Sequence, residues 1–175
     1  EAFASDTGLE AASADVVTCS QSFHWMERGP VLAEAARILR EGGVFAAYDY
    51  DFPALIHPDV DAAFVAHIER RRRYRDARKV EAGWTRMPKT GHLDAIRESG
   101  LFAYTREFVV HDELDAGAEE IVGFARSLGL VPELLAQGVS EDDLGLTALD
   151  ETVRRVIGDR RVPSLWGYRA RLGVR

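Results

Sequence analysis

The stretch 14-ADVVTCSQSFHWMERGPVLAEAARILREGGVFAAYDYD-51 decides the fold, because it contains two strand patterns with a helix pattern between them. Ala14–Ser20 is short, β-branched and mostly apolar, which is typical of a buried strand. In Pro30–Arg40 apolar residues recur at helical spacing, and Gly42 and Gly43 follow as a helix stop. Val44–Tyr48 is a second continuous apolar run. Strand, helix and strand in this order predict a βαβ unit whose two strands are parallel neighbours.

The remainder of the chain shows further helix and strand patterns. Its periodicity predicts helices over 62–79, 92–100, 118–129 and 141–158, and strands over 102–113 and 165–174. The sequence contains no internal repeat, low-complexity stretch or flexible linker. We therefore expect an α/β chain that forms a single domain over 1–175, with a helical cap or lid inserted at 53–92.

Composition and charge limit the classes of function. The 175 residues are 46% hydrophobic and 29% charged, which is typical of a globular domain with its own core. The net charge of −7 argues against a nucleic-acid partner. The single cysteine, Cys19, excludes an internal disulfide framework and fits a reducing cytoplasm. No run reaches the roughly 18 apolar residues of a membrane span, and no signal-peptide pattern opens the chain. We expect a cytoplasmic protein without a membrane partner.

The polar run CSQSFHW (19–25) has the composition of a site lining rather than of a turn or a core. In open parallel sheets, ligands bind outside the carboxyl ends of the strands. Ser20-Gln21-Ser22 follow the first predicted strand and Asp49-Tyr50-Asp51 follow the second, so both groups should border one crevice. Gln21 can donate and accept hydrogen bonds, and Trp25 offers a flat apolar surface. This pattern predicts a site for a ligand with an aromatic ring and polar groups.

The same stretch resembles the second half of a class I S-adenosylmethionine-dependent methyltransferase of the kind called methyltransferase type 11. The matching positions are an acidic residue that opens the strand, a polar turn with His-Trp, a helix with Glu-Ala-x-Arg-x-Leu, and a Gly-Gly pair before the next strand: Asp15, His24, Trp25, Glu34, Ala35, Arg37, Leu39, Gly42 and Gly43. The resemblance is specific over 4–51 and looser beyond Pro53. It implies a Rossmann-like, mostly parallel sheet with an antiparallel last strand.

Two elements of that family are missing from this sequence. The glycine-rich loop after the family's first strand and the acidic residue that holds the ribose are not present, and the glycines here form no G-x-G cluster. The resemblance therefore implies the C-terminal part of a methyltransferase domain, with a sheet that is incomplete on its N-terminal side. Residue 1 is glutamate rather than methionine, and we expect a longer polypeptide.

The resemblance also implies a cofactor, S-adenosylmethionine or its product S-adenosylhomocysteine, and positions that contact it. Asp6 and Thr7 would pass the adenine ring, Ser20 and Gln21 would face the methionine part, and Trp25 would stack on the ligand. Each of these positions also has a purely structural alternative. Asp6 and Thr7 could form a plain polar loop, Ser20 and Gln21 a solvated strand end, and Trp25 could belong to the core. His24 is the candidate catalytic residue, because a histidine there could orient the substrate or accept a proton. Its alternative role is to satisfy a backbone group.

Candidate acceptor contacts are Tyr50, at the end of the second strand, and Arg71 and Arg72 in the basic run 70–79. Such a run is usually a solvated helix face. Within a lid that also carries Phe64, Tyr74 and Trp84, it could instead attract an anionic or aromatic acceptor.

We expect no metal site. Asp49, Asp51 and His57 could supply ligands to a divalent ion, but no further ligand has convincing spacing.

The predicted function is in-line methyl transfer from S-adenosylmethionine to a small-molecule acceptor. Such an enzyme mainly aligns the reactants and excludes water, and needs no catalytic triad. Two other classes stay open: another nucleotide-binding α/β enzyme, such as a nicotinamide-dependent oxidoreductase, and a non-catalytic partial domain that needs a partner. The sequence also leaves open whether the chain forms a homodimer.

Overall fold

The computed structural model describes residues 2–77 and 87–175, without the side chains of Arg75 and Ala77. Four strands form one sheet in the described part of the chain: β1 (Ala14–Ser20), β2 (Leu39–Tyr50), β3 (Tyr104–Ala116) and β4 (Val162–Val174). Their order is β1-β2-β4-β3.

β1 and β2 are parallel neighbours, and β2 and β4 are antiparallel neighbours. In the parallel pair Ser20 lies opposite Tyr48, and in the antiparallel pair Asp49 lies opposite Arg169. The mixed sheet confirms the predicted α/β class, the adjacency of the first two strands and the antiparallel last strand.

The described residues form seven α-helices and two short 3₁₀ turns. The helices are α1 (Arg28–Ile38), α2 (Pro58–Ala77), α3 (His92–Glu98), α4 (Ala118–Ser127), α5 (Val131–Ala136), α6 (Glu141–Leu144) and α7 (Leu146–Ile157), and the turns are Phe23–Trp25 and Lys89–Gly91. α1 connects β1 to β2 and completes the predicted βαβ unit. None of the helices in the described residues has the length and apolar character needed to cross a membrane.

The chain divides into two compact units. One, here called the sheet unit, comprises the described residues of Glu1–Asp51, Ala82–Val110 and Gly167–Arg175. The other, the helical unit, comprises those of Phe52–Glu81 and His111–Trp166. The predicted insertion at 53–92 is therefore shared between the two units. Within the basic run, Arg78 and Lys79 lie outside the described residues, as does Trp84.

The core of the sheet unit forms where α1 and α3 pack on the sheet. Along β2, residues two apart point to the same face, and Phe45, Ala47 and Asp49 are all buried on it. Leu32 of α1 and Ile96 of α3 belong to the same apolar cluster as Phe45. The buried face of β2 thus continues from apolar residues directly into a carboxylate.

β1 is more exposed than its apolar sequence predicts. It is the edge strand of the sheet that the described residues form, and the side chain of Val16 is 57% exposed. Cys19, by contrast, is buried on the core side. Burial raises the pKa of the Cys19 thiol to about 11, so the thiol stays protonated and is a poor nucleophile.

The helical unit has a separate apolar core. α4 buries Ile121, Val122 and Ala125, and α7 buries Leu149, Val153 and Ile157 at helical spacing. The buried His67 ring nitrogen Nδ1 lies 2.8 Å from the Leu144 carbonyl oxygen, and burial lowers the pKa of this histidine. α5 escaped prediction because its six residues are too few to show a helical period.

Among the described glycines of the sheet unit, Gly173 of β4 leaves the least room for a side chain. A Cβ built there would lie 2.6 Å from Cγ of Phe102 and 2.9 Å from Cγ2 of Ile96. We expect Gly173→Ala to lower the free energy of unfolding by about 1–3 kcal/mol, because the core must shift to admit a methyl group. Urea unfolding followed by circular dichroism measures the change.

The matched control is Gly123→Ala at an exposed position of α4, where nothing lies within 4 Å of the added Cβ. This variant should be neutral or more stable by up to about 1 kcal/mol, because alanine favours the helix. Equal stability of the two variants would contradict the packing described for Gly173.

Candidate functional site

The centre of the candidate site is Asp49, at the carboxyl end of β2. Asp49 is only 3% exposed, because it lies on the same face of the strand as Phe45 and Ala47. A buried carboxylate is unfavourable unless opposite charges or hydrogen bonds compensate for its lost hydration. The neighbours of Asp49 therefore have to supply this compensation.

Four basic side chains surround the two oxygens of Asp49. Oδ2 lies 3.0 Å from the guanidinium nitrogen Nη1 of Arg171 and 3.6 Å from Nε2 of His92. Oδ1 lies 3.1 Å from Nζ of Lys89 and 3.5 Å from Nδ1 of His24. Only the Arg171 contact is an aligned hydrogen bond. Lys89 forms an ion pair with Oδ1 without hydrogen-bond geometry, and the His24 contact lacks that geometry as well. Arg171 is itself 4% exposed, so this pair is the buried one.

The same charges continue across the sheet as a ladder. Nε of Arg171 donates to Glu107 on β3 at 2.8 Å, and Glu107 also accepts from Arg169 at 3.0 Å. Arg169 then pairs with Asp51 at 3.0 Å. Asp49, Arg171, Glu107, Arg169 and Asp51 therefore join β2, β4 and β3. Cross-strand pairs of opposite charge stabilise a particular register.

The segment 87–92 is held by backbone contacts that bring Lys89 and His92 to Asp49. Arg28 of α1 donates to the carbonyl oxygens of Pro88 and Gly91, at 2.5 Å and 3.1 Å. The amide of Met87 donates to the His24 carbonyl oxygen at 2.8 Å. One arginine at the start of α1 thus positions the segment that supplies two of the four basic groups.

His92 is a neutral histidine at the bottom of this cluster. It is fully buried, its ring packs edge-on against Phe23 at 4.9 Å, and neither ring nitrogen has a hydrogen-bond partner among the described residues. Burial lowers the pKa of His92 from 6.5 to about 4, and the positive charge of Arg28 adds to this effect while Asp49 opposes it. The charge of Asp49 is therefore balanced by Arg171 and Lys89 rather than by His92.

The two histidines and Asp49 also have the spacing of a metal-binding group. Their ligand atoms lie within 4.8 Å of one another. Lys89 and Arg171 contact the same carboxylate, however, and their positive charges repel a divalent cation. His57, which the sequence suggested as a partner of the two aspartates, is an exposed residue of the helical unit whose Nδ1 accepts from the Asp59 amide.

Several of the residues predicted from sequence meet at this strand edge. Gln21 has a left-handed backbone with φ of 48°, and its side-chain oxygen accepts from Nζ of Lys89 at 2.8 Å. The ring of Trp25 lies 5.1 Å from that of His24 and is 39% exposed. Nζ of Lys89 lies 5.5 Å from the centroid of the Tyr50 ring, which is a cation–π contact. Ser20, at the end of β1, is exposed.

The other predicted residues lie elsewhere. The amide and the hydroxyl of Thr7 donate to Glu34 Oε1 at 2.8 and 2.6 Å, and Arg37 pairs with the same carboxylate, so Thr7 anchors its loop to α1. Asp6 is exposed in that loop.

The predicted arginines belong to the helical unit. Arg71 donates to the Gly129 carbonyl oxygen at 3.2 Å, and Arg72 is exposed on α2.

Sequence reasoning missed Lys89, His92, Glu107 and Arg171. The only local signal was that Arg169 and Arg171 occur two residues apart in a strand pattern, which places both on one face. Nothing near Lys89 or His92 in the sequence indicates that they reach Asp49.

The comparisons with known proteins give one partial family match and a set of structures with a similar fold. Residues 1–47 match the model of a methyltransferase domain. No curated protein matches the sequence significantly.

Among solved structures, a protein of Anaeromyxobacter dehalogenans described as a type II methyltransferase is 24% identical and has a TM-score of 0.65. The alignment covers 99% of this chain and 69% of that protein. A protein of Bacillus halodurans described as a methyltransferase is 16% identical, with 99% and 69% of the chains covered and a TM-score of 0.48. The YcgJ protein of Bacillus subtilis is 14% identical, with 98% and 68% covered and a TM-score of 0.47.

Removal of the buried guanidinium should be far more costly than removal of its more exposed neighbour. We expect Arg171→Met to lower the free energy of unfolding by about 3–5 kcal/mol, because it leaves Asp49 buried beside too little positive charge. Arg169→Met should cost about 1 kcal/mol or less, since that side chain is one-third exposed. Urea unfolding at pH 7 measures both changes. Similar losses in the two variants would contradict the central place of the Asp49–Arg171 pair.

The neutral His92 should make the fold sensitive to mild acid. Its pKa is lower in the folded chain than in the unfolded chain, so the unfolded chain binds a proton first as the pH falls. The contribution of His92 to the free energy of unfolding is therefore fully present above about pH 6.5 and is lost as the pH falls towards 4. About 2 kcal/mol of it is lost between pH 7 and pH 5. Urea unfolding at several pH values follows this decline.

The comparison variants separate His92 from other titrating groups. His92→Gln should be less stable at pH 7 but should lose about 2 kcal/mol less than the unaltered chain between pH 7 and pH 5. His111→Gln, at an exposed position, should keep the original pH dependence. An unchanged slope in His92→Gln would show that His92 is not the group responsible.

Proposed function

We propose that this protein transfers a methyl group from S-adenosylmethionine to a small-molecule acceptor. The premise is that residues 1–47 are a segment of a class I methyltransferase domain and that the chain has the methyltransferase fold. The observation that carries this proposal is the convergence of polar side chains at the carboxyl ends of two parallel strands. Gln21 follows β1, Asp49 ends β2, and Lys89 contacts both of them. Ligands of open α/β sheets bind at this edge.

The accessible residues at the edge suit the cofactor. S-adenosylmethionine has a flat adenine ring, polar ribose and methionine groups, and a methyl group already activated on a sulfonium. The partly exposed indole of Trp25 presents a flat surface for stacking, and the exposed hydroxyl of Ser20 can form hydrogen bonds. The side-chain nitrogen of Gln21 can donate, while its oxygen accepts from Lys89. Thr7 fits less well, because its amide and its hydroxyl both donate to Glu34. Asp6 is then the residue of that loop left to contact the cofactor.

His24 is the proposed proton acceptor. Its Nδ1 faces the carboxylate of Asp49 at 3.5 Å, and a carboxylate at this distance stabilises the positive charge that the ring gains when it accepts a proton. Methyl transfer to oxygen or nitrogen releases a proton, and a base of this kind can take it. The burial of the ring also keeps bulk water away from it.

Lys89 has a positioning role in this proposal. Its ammonium contacts Gln21, Asp49 and the face of Tyr50 at once, so it fixes the polar ends of both strands relative to each other. It is 27% exposed and can also attract an anionic acceptor group. The acceptor contacts predicted for Arg71 and Arg72 stay a prediction from sequence; in the helical unit Arg71 donates to a backbone carbonyl and Arg72 is exposed.

The test is binding of S-adenosylhomocysteine, measured by saturation-transfer NMR because this method detects weak complexes. We expect binding to the unaltered chain and at least a tenfold loss of affinity in Ser20→Phe, since a bulky ring would fill the proposed cofactor site. Thr18→Phe is the matched control, because Thr18 is exposed on the same strand face about 7 Å before the strand end. It should bind within twofold of the unaltered chain.

Other outcomes separate the rival classes. Binding of reduced nicotinamide dinucleotide without S-adenosylhomocysteine would favour an oxidoreductase. Binding of neither would favour a non-catalytic domain, and equal losses in both phenylalanine variants would mean that the cofactor does not lie at the strand end.

A further inference from the structure

The helical unit contains an apolar cavity of about 250 Å³ whose lining residues all belong to that unit. Its walls include the rings of Phe64, Phe124 and Trp166, together with Ala54 and Ile121. Trp166 meets Phe124 at a ring distance of 5.1 Å and an angle of 84°, and Phe124 lies 6.2 Å from Phe64. The three rings therefore form a connected aromatic wall rather than scattered contacts.

The size of the cavity is that of a ligand rather than of a packing defect. Engineered apolar cavities of roughly 150 Å³ remain dry and bind benzene. This cavity is larger, and an apolar molecule that fills it gains dispersion contacts with the lining atoms. Water is a poor occupant, since a bound water needs two to four polar partners and the lining is overwhelmingly apolar.

The polar groups at the cavity disfavour a charged occupant. Glu120 accepts from Arg161 at 2.5 Å and from the Gly117 amide at 3.1 Å, so its charge is already balanced. The same arginine donates to the carbonyl oxygen of Asp115 at 2.7 Å. A cation would compete with Arg161 for these groups, and an anion would be repelled by the acidic residues Asp115 and Glu120 of the lining.

We propose that this cavity binds an uncharged apolar molecule of about one ring with a branched substituent. The binding energy comes from contact with the aromatic wall and from removal of apolar surface from water. This function goes beyond the proposed methyl transfer and does not depend on it, because the methyl-transfer site is assigned to residues of the sheet unit.

The experiment compares two probes of nearly identical shape, tert-butylbenzene and phenyltrimethylammonium, which differ in charge. The full chain is titrated with each, and the indole N–H resonance of Trp166 reports the cavity while that of Trp25 serves as an internal control. We expect saturable one-to-one binding of tert-butylbenzene with a shift of the Trp166 signal alone. Phenyltrimethylammonium should bind at least tenfold more weakly.

Substitutions locate the probe. Ala54 is buried and lines the cavity, so Ala54→Phe should weaken the binding of tert-butylbenzene at least tenfold. Ala148→Phe is the matched control at an exposed position of α7 and should retain the affinity within twofold. Ser164→Leu fills the cavity from β4 and is used if Ala54→Phe does not fold. It should also weaken the binding of tert-butylbenzene at least tenfold.

Three results would overturn the proposal. Tighter or equal binding of phenyltrimethylammonium would identify a cation site. Binding of neither probe would mean that the cavity holds no ligand of this class. An equal loss in Ala148→Phe and Ala54→Phe would show that the probe binds elsewhere. Because S-adenosylhomocysteine binding is measured separately, failure here leaves the methyltransferase proposal intact.

Discussion

The buried ion pair between Asp49 and Arg171 is the interaction on which the sheet unit depends. Asp49 continues the apolar face of β2, so the strand cannot bury Phe45 and Ala47 without also drawing a carboxylate out of water. The antiparallel register places Arg171 opposite Ala47, within diagonal reach of Asp49. A shift of β4 by one residue would turn the guanidinium to the other face and leave the carboxylate uncompensated.

The excess of basic groups around one carboxylate also sets the character of the site. Arg171 and Lys89 together carry more positive charge than Asp49 can balance, and Glu107 takes up the remainder through Arg171. His92 is then held neutral, because burial and the nearby guanidinium groups both oppose its protonation. The result is a cluster in which His92 is neutral at neutral pH and the carboxylates lie against Arg171 and Lys89. A methyl transferase benefits from such fixed polar groups, because its reaction depends on alignment more than on strong acid or base catalysis.

The sequence was sufficient for the βαβ unit and insufficient for the cluster. The two strands and α1 lie within 38 consecutive residues, and their apolar periods and glycines act locally. Asp49 and Arg171, by contrast, are 122 positions apart, and their pairing exists only after β4 has aligned with β2. No periodicity indicates which of the 22 lysines and arginines will meet a given carboxylate.

Local sequence patterns also could not predict the solvent exposure of individual residues. An apolar run such as that of β1 has the same sequence whether neighbouring elements cover it or not. Thr7 stays a predicted cofactor contact, and the sequence did not indicate that its amide and its hydroxyl donate to Glu34 on α1.

The two units satisfy their interiors in opposite ways. The sheet unit buries charges and balances them with other charges, so its stability depends on pH and on the geometry of each pair. The helical unit buries almost exclusively apolar groups and leaves a space that only apolar contact can fill. The apolar clusters that form the two cores share no residue. Substitutions in the cavity should therefore act through packing, largely independent of pH, while substitutions in the Asp49 cluster should act through charge. That difference in kind allows the catalytic and the ligand-binding proposals to be judged separately in a single chain.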